Sequence, residues 1–229
     1  LWDTAMSIYP LIGGVPRGQP KPTFKFPAGG RVTFAHLNLE ADVLGWQGAQ
    51  VPLICFDELT HFTRSQFFYM LSRNRSTCGV RPYVRATCNP DADSWVADLI
   101  AWWIDQVTGL PIPERSGVIR WFVRVADALR WADSPEELAQ AHGVDVGDCK
   151  SLTFVAASIH DNKALMEADP GYLANLKSLS RVERERLLGG NWKIRPAAGL
   201  YFKRHEVTML DAVPPDVDRW SRAWDFAAT

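Results

Sequence analysis

An apolar run, VPLICF over 51–56, stops abruptly at Asp57-Glu58. Six apolar positions without alternation predict a short strand covered on both faces. Around it the hydrophobic pattern alternates between periods. Val32, Phe34 and Leu37 give a partly alternating strand after the Gly29-Gly30 turn, whereas Phe67, Phe68, Met70 and Leu71 form the buried side of a helix over 63–73. PYVRATCNP is a second strand, stopped by Asn89-Pro90 because proline cannot continue a ladder. Trp95, Leu99, Trp102 and Trp103 fall at helical spacing, and GVIRWFVRV and SLTFVAAS are further strands.

Two helices announce their starts. Ser134-Pro135-Glu136-Glu137 is a capping box with proline at the first helical position, and Ser180 with Glu183 is a second box, opening a helix that Gly189-Gly190 closes. The first thirty residues hold five prolines and read as loop without a long helix. PAAGLYF and DAVPPDVD read as a linker, after which RWSRAWDF begins something new. Strands alternating with helices predict an α/β domain with a largely parallel sheet.

Composition narrows this picture only a little. Of 229 residues 47% are hydrophobic, enough for a core, and no stretch approaches the ~20 apolar residues of a membrane span. The formal net charge of −1 advertises no polyanion globally. Cys55, Cys78, Cys88 and Cys149 show no metal spacing and read as reduced thiols. Leu1 at the start and RAWDFAAT at the end suggest a piece of a longer protein.

Three chemistries compete for Asp57-Glu58. A zinc protease needs HExxH on a helix, and here Asp57 follows a strand. A helicase DExH box can be aligned on Asp57-Glu58-Leu59-Thr60-His61 at one offset, but its Ser/Thr-Ala-Thr partner is matched only in part by Arg85-Ala86-Thr87. A Walker B element needs an apolar strand ending in these two acids, because nucleotide sits outside the carboxyl ends of parallel strands. One acid then serves the Mg²⁺ shell and the other the attacking water. Thirty residues on, Thr87-Cys88-Asn89 ends a second strand, from which a polar side chain would lie beside the acids. The plainer alternative makes Asp57 a helix cap, Glu58 a solvated acid and Asn89-Pro90 a turn.

Taken in order, LICFDELTHF, RATCNPDADSW, ASIHDNKAL, RLLGGNWKI and RAWDFAAT resemble the large terminase subunit of tailed double-stranded DNA phages. FPAGGRVTFAHL is similar to the Gly-turn strand ahead of Walker B in that family. The resemblance implies a P-loop NTPase core of the RecA-like, additional-strand catalytic-Glu type, followed by the start of an RNase H-like nuclease. Residues 1–150 would be the C-terminal part of the ATPase core, 151–195 a lid, 196–218 a linker, and 219–229 the first nuclease strand. Asp57 would be the Mg²⁺-associated acid, Glu58 the catalytic base, Thr87 and Asn89 the coupling motif, and Asp225 the first nuclease metal ligand. ATP with Mg²⁺ would serve the motor, and Mg²⁺ or Mn²⁺ the nuclease. The partners implied are double-stranded DNA, the portal protein, the small terminase subunit and further copies in a ring on the prohead, in the host cytoplasm and away from any membrane.

Two departures qualify the resemblance. Lys163 stands where the family often has proline after Asp-Asn, and the 229 residues contain no G-x-x-x-x-G-K-[ST]. The chain alone is therefore expected to bind ATP poorly and not to hydrolyse it. Arg73, Arg75, Arg81 and Arg85 form one basic group and Arg181, Arg184 and Arg186 another, each a phosphate contact, an arginine finger or a solvated face. A non-enzymatic α/β binding domain remains the rival of another class, and it would place the two acids away from Asn89.

Overall fold

The computed structural model describes residues 1–196. The linker expected over 196–218 (from its second residue on) and the strand with Asp225 lie outside the described residues. Residues 1–194 form one compact unit.

The proline-rich start is more ordered than its composition predicts. A short helix α1 (Trp2–Ile8) packs on an antiparallel meander of β1 (Val15–Arg17), β2 (Thr23–Lys25) and β3 (Arg31–Thr33). Pro16 is tolerated because β1 lies at the sheet edge, where one strand side needs no N–H donor. Gly29, at φ +84°, makes the turn into β3, a conformation that disfavours any Cβ. Phe24 is fully buried and meets the rings of Trp2 and Tyr9 at 4.9 and 5.0 Å.

The central element is a parallel pair, β4 (Leu53–Phe56) and β5 (Tyr83–Ala86), in register Leu53↔Tyr83 to Phe56↔Ala86. Parallel pairing needs a long crossover, and α2 (Arg64–Leu71) supplies it. Thr63 caps this helix by accepting from the Gln66 N–H, while the Gln66 side chain accepts from the Thr63 N–H, a reciprocal capping box. Gln66 is buried yet satisfied, donating to the carbonyls of Leu37 and Leu39. The Asn74 amide donates to the carbonyls of Val51, Pro52 and Tyr83 and so ties the starts of both strands.

Phe56, Phe67 and Met70 pack with Val96 and Ile100 from the segment holding α3 (Trp95–Leu99), and with Trp103 and Trp192. The expectation that β4 is covered on both faces does not hold. Ile54 and Phe56 are buried, but Leu53 and Cys55 are exposed, as are Tyr83 and Arg85 beside them. Among the described residues, only one side of the pair carries a packed layer.

A second antiparallel sheet has the order β7-β6-β8, from β6 (Ile119–Val125), β7 (Ala128–Ala132) and β8 (Lys150–Thr153). Helix α4 (Pro135–His142), capped by Ser134, buries Leu138 against Val123 and Cys149. Beyond it come α5 (Lys163–Ala168), α6 (Tyr172–Lys177) and α7 (Arg181–Leu187), none with a buried residue. The lid boundary expected between 150 and 151 falls inside β8, which pairs with β6. After α7, Trp192 returns to the core, its N–H donating to the Gly109 carbonyl at 2.8 Å.

The mixed α/β character expected from the pattern is present, but the largely parallel sheet is not seen among the described residues. Six of their eight strands lie in antiparallel sheets and two in the parallel pair. Connection length explains the difference, since the two-residue link Ala126-Asp127 allows only a hairpin.

Candidate active site

The register that pairs Phe56 with Ala86 continues past both strands. Thr87 donates its N–H to the Phe56 carbonyl at 3.0 Å, and Leu59 donates to the Thr87 carbonyl at 2.8 Å. These bonds hold the segment 57–59 against 87–89, so the polar ends of two apolar strands meet at one edge.

Two side-chain contacts result. The Thr87 hydroxyl donates to Asp57 Oδ1 at 2.9 Å. Asn89 reaches Glu58 twice, its Nδ2 donating to Oε1 at 3.1 Å and its backbone N–H to Oε2 at 3.3 Å. Asp57, Thr87 and Asn89 are exposed and Glu58 is half-buried, so the cluster opens to solvent at the strand tips.

Glu58 has φ 55° and ψ 62°, in the left-handed region. For a side-chain-bearing residue this conformation costs roughly 1–3 kcal/mol and persists only where the surroundings enforce it. Here β4 ends, a turn over Leu59–His61 starts, and Leu59 is buried at 5% exposure beneath it. The left-handed step reverses the chain so that the Glu58 carboxylate meets Asn89. Hydrogen bonds to a charged group, worth about 1.5–3 kcal/mol each, are large enough to offset the strain.

Cys88 lies between Thr87 and Asn89 and is a neighbour that sequence reading treated only as a reduced thiol. Burial pushes its thiol up to about 11, and the negative charge of Glu58 acts in the same direction. It is therefore neutral at physiological pH. Its position inside Thr87-Cys88-Asn89 was the one signal that could have brought it forward.

Beside the neutral Cys88 thiol, the tip offers three oxygen-bearing groups: the carboxylates of Asp57 and Glu58 and the hydroxyl of Thr87. This hard set suits Mg²⁺, which is held by one or two carboxylates with waters and substrate phosphates completing the shell. No group of three or more His, Cys, Asp or Glu side chains placed to hold a metal occurs among the described residues.

The basic groups divide. Arg75 donates to the carbonyls of Ala49 and Gly48 and so braces a loop. Arg73 and Arg85 stack over Tyr69 and Tyr83 at 5.3 and 5.7 Å. On α7, Arg181 pairs with Glu185 at 3.5 Å and Arg184 donates to the Lys177 carbonyl at 3.4 Å. Asp225 lies outside the described residues. No helix among the described residues is long and apolar enough to cross a membrane.

A family model described as terminase large subunit, T4likevirus-type, N-terminal, matches residues 16–209. No curated protein and no solved structure gives a match.

Proposed function

Because the chain belongs to the T4likevirus-type terminase large subunit family, and so to the machinery of phage DNA packaging, we propose that its two strand tips are the acid and sensor half of the packaging ATPase site. The observation that carries this reading is the bidentate hold of Asn89, from one tip, on the left-handed Glu58 of the other, at 3.1 and 3.3 Å.

Each side chain then has a task. Asp57 would hold Mg²⁺, with Thr87 fixing the carboxylate through its 2.9 Å bond. When bound, the ion supplies charge neutralisation at the phosphate oxygens. Glu58 orients the attacking water and accepts its proton. Asn89 keeps Glu58 in one rotamer and, lying at the tip, exchanges that bond for one to a phosphate oxygen when the nucleotide state changes. Rigid strand ends suit this work because phosphoryl transfer depends on positioning and charge. The phosphate-cradling Gly-rich loop is absent from the 229 residues, so this chain contributes the metal and water side of the site.

In the larger reaction, hydrolysis at Glu58 is passed through Asn89 to the lid over 151–195, which moves duplex DNA through the portal into the prohead. The motor works as a ring of copies with the small subunit, in the host cytoplasm. Asp225 would be the first metal ligand of a nuclease, where Mg²⁺ or Mn²⁺ would supply water activation and charge stabilisation for cutting the DNA.

The test is ATP turnover by the terminase large subunit carrying this chain. Glu58→Gln keeps the shape and removes the base, so binding of ATP should persist while turnover falls about 10²–10⁴-fold. Undiminished turnover would rule the assignment out.

A further inference from the structure

Residues 1–36 carry Arg17, Lys21, Lys25 and Arg31 against Asp3 alone, in a chain whose net charge is −1. The meander arranges most of this excess. In its register, Val15, Lys25 and Arg31 form one cross-strand row and Arg17, Thr23 and Thr33 another. Side chains alternate between faces along a strand, so both rows share the face opposite Phe24. Helix α1 packs on the Phe24 side through Trp2, which leaves Asp3 with the other layer. Arg17, Lys25 and Arg31 are all exposed, and none makes an ion pair among the described residues. Lys21 is engaged, with Nζ 4.2 Å from the Trp46 ring centre.

Like charges directly opposite in a sheet are destabilising, and Lys25 faces Arg31 in that way. An anionic partner would relieve the repulsion. With strands about 4.8 Å apart and a rise of about 3.3 Å per residue, the three cations lie within roughly 5–12 Å of one another. That spacing suits an array of phosphates better than a single anion, since duplex DNA presents one charge per ~1.7 Å of axis. The Thr23 hydroxyl is engaged, donating to the Lys21 carbonyl at 2.9 Å and lying 3.3 Å from the Thr33 hydroxyl, so the face would meet phosphates through its cations.

The aromatic residues decide which nucleic acid fits. Phe24, Phe26 and Phe34 contact Trp2 and Tyr9 on the α1 side, so among the described residues the meander turns its rings away from the cationic face and offers none there on which an unpaired base could stack. Recognition of single strands relies on such stacking. We infer that the face formed by Arg17, Lys25 and Arg31 is a sequence-independent contact for the phosphate backbone of duplex DNA. The inference rests on the packaging reading only for the choice of DNA as the polyanion. It requires no nucleotide hydrolysis.

The experiment is fluorescence anisotropy of a short labelled duplex with the full chain, titrated over salt concentration without ATP. Each lost phosphate contact lowers the slope of log K against log salt by about 0.9. The variant Arg17→Gln/Lys25→Gln/Arg31→Gln should therefore bind with a slope shallower by about 2–3. Val15→Lys adds a cation to the Lys25 row and should steepen the slope by about 0.9, so the idea stays testable if the triple variant folds poorly. Arg124→Gln/Arg130→Gln/Lys150→Gln makes the same charge change on the other antiparallel sheet and should leave the slope alone. Equal slopes for the meander variant and the unaltered chain would overturn the proposal. So would an equal loss in the second triple variant, or tighter binding to a single strand or an anionic vesicle than to the duplex. A negative result beside an ATPase still sensitive to Glu58→Gln would remove this contact and leave the catalytic reading standing.

Discussion

Glu58 and the pair Ala126-Asp127 share an uncommon backbone conformation, with φ of 55°, 47° and 65°, and differ in what holds them there. Ala126-Asp127 joins β6 to β7, where a two-residue hairpin demands positive φ at both positions. The demand is geometric, and Asp127 adds only an exposed bond to Arg124 at 2.7 Å. Glu58 joins no hairpin. It ends a strand of the parallel pair, and its carboxylate is met by two donors from the neighbouring tip. The same torsion is thus a turn requirement in one region and a means of aiming a carboxylate in the other.

Glycine substitutions separate the two cases, and the largest effect is expected at the parallel pair. Glu58→Gly keeps the backbone freedom but deletes the carboxylate, so turnover by the terminase large subunit should fall about 10²–10⁴-fold. Ala126→Gly should leave turnover unchanged and raise stability by about 0.5–1 kcal/mol, because strain relief exceeds the added chain entropy. Chemical unfolding and ATP turnover measured on both variants check this. A loss of turnover in Ala126→Gly would remove the distinction.

A smaller effect concerns the thiols. Cys88, raised to about 11 by burial and by Glu58, should alkylate slowly at pH 8. Cys78, whose thiol is held below its ordinary value by the hydrogen bond to Ser76, is exposed and should react first. Because the folded Cys88 holds its proton more tightly than an unfolded thiol, the associated stability is present below about pH 8.5 and is lost as pH rises through about 11. Mass spectrometry of peptides labelled over a pH series reads both effects. Early labelling of Cys88 would contradict the buried environment beside Glu58.

The legible parts of the fold were those with a strong local pattern. The apolar run before Asp57, the apolar side Phe67, Phe68, Met70 and Leu71, the Ser134 cap and the strand-like GVIRWFVRV locate β4, α2, α4 and β6 within a few residues. The three-residue strands β1 and β2 were not legible, whereas the equally short β3 was expected from Val32 and Phe34 after the Gly29-Gly30 turn. VPR and TFK hold too few positions for alternation to register, and their pairing depends on Phe24 reaching Trp2 and Tyr9. At the candidate site the residue types were readable, since a strand end is where polar side chains follow apolar ones. The contact between Glu58 and Asn89 was not, because it depends on one backbone torsion and on a register set by residues thirty positions apart.

The central claim is that Glu58 and Asn89 act as one unit, and a double-mutant cycle on ATP turnover tests it most directly. Glu58→Gln, Asn89→Ala and the pair together would be measured in the terminase large subunit carrying this chain. Residues that work through each other give strongly non-additive losses. The account predicts that the double variant turns over no more slowly than Glu58→Gln alone. A double loss equal to the product of the two single losses would show that the two residues act independently, and would contradict it.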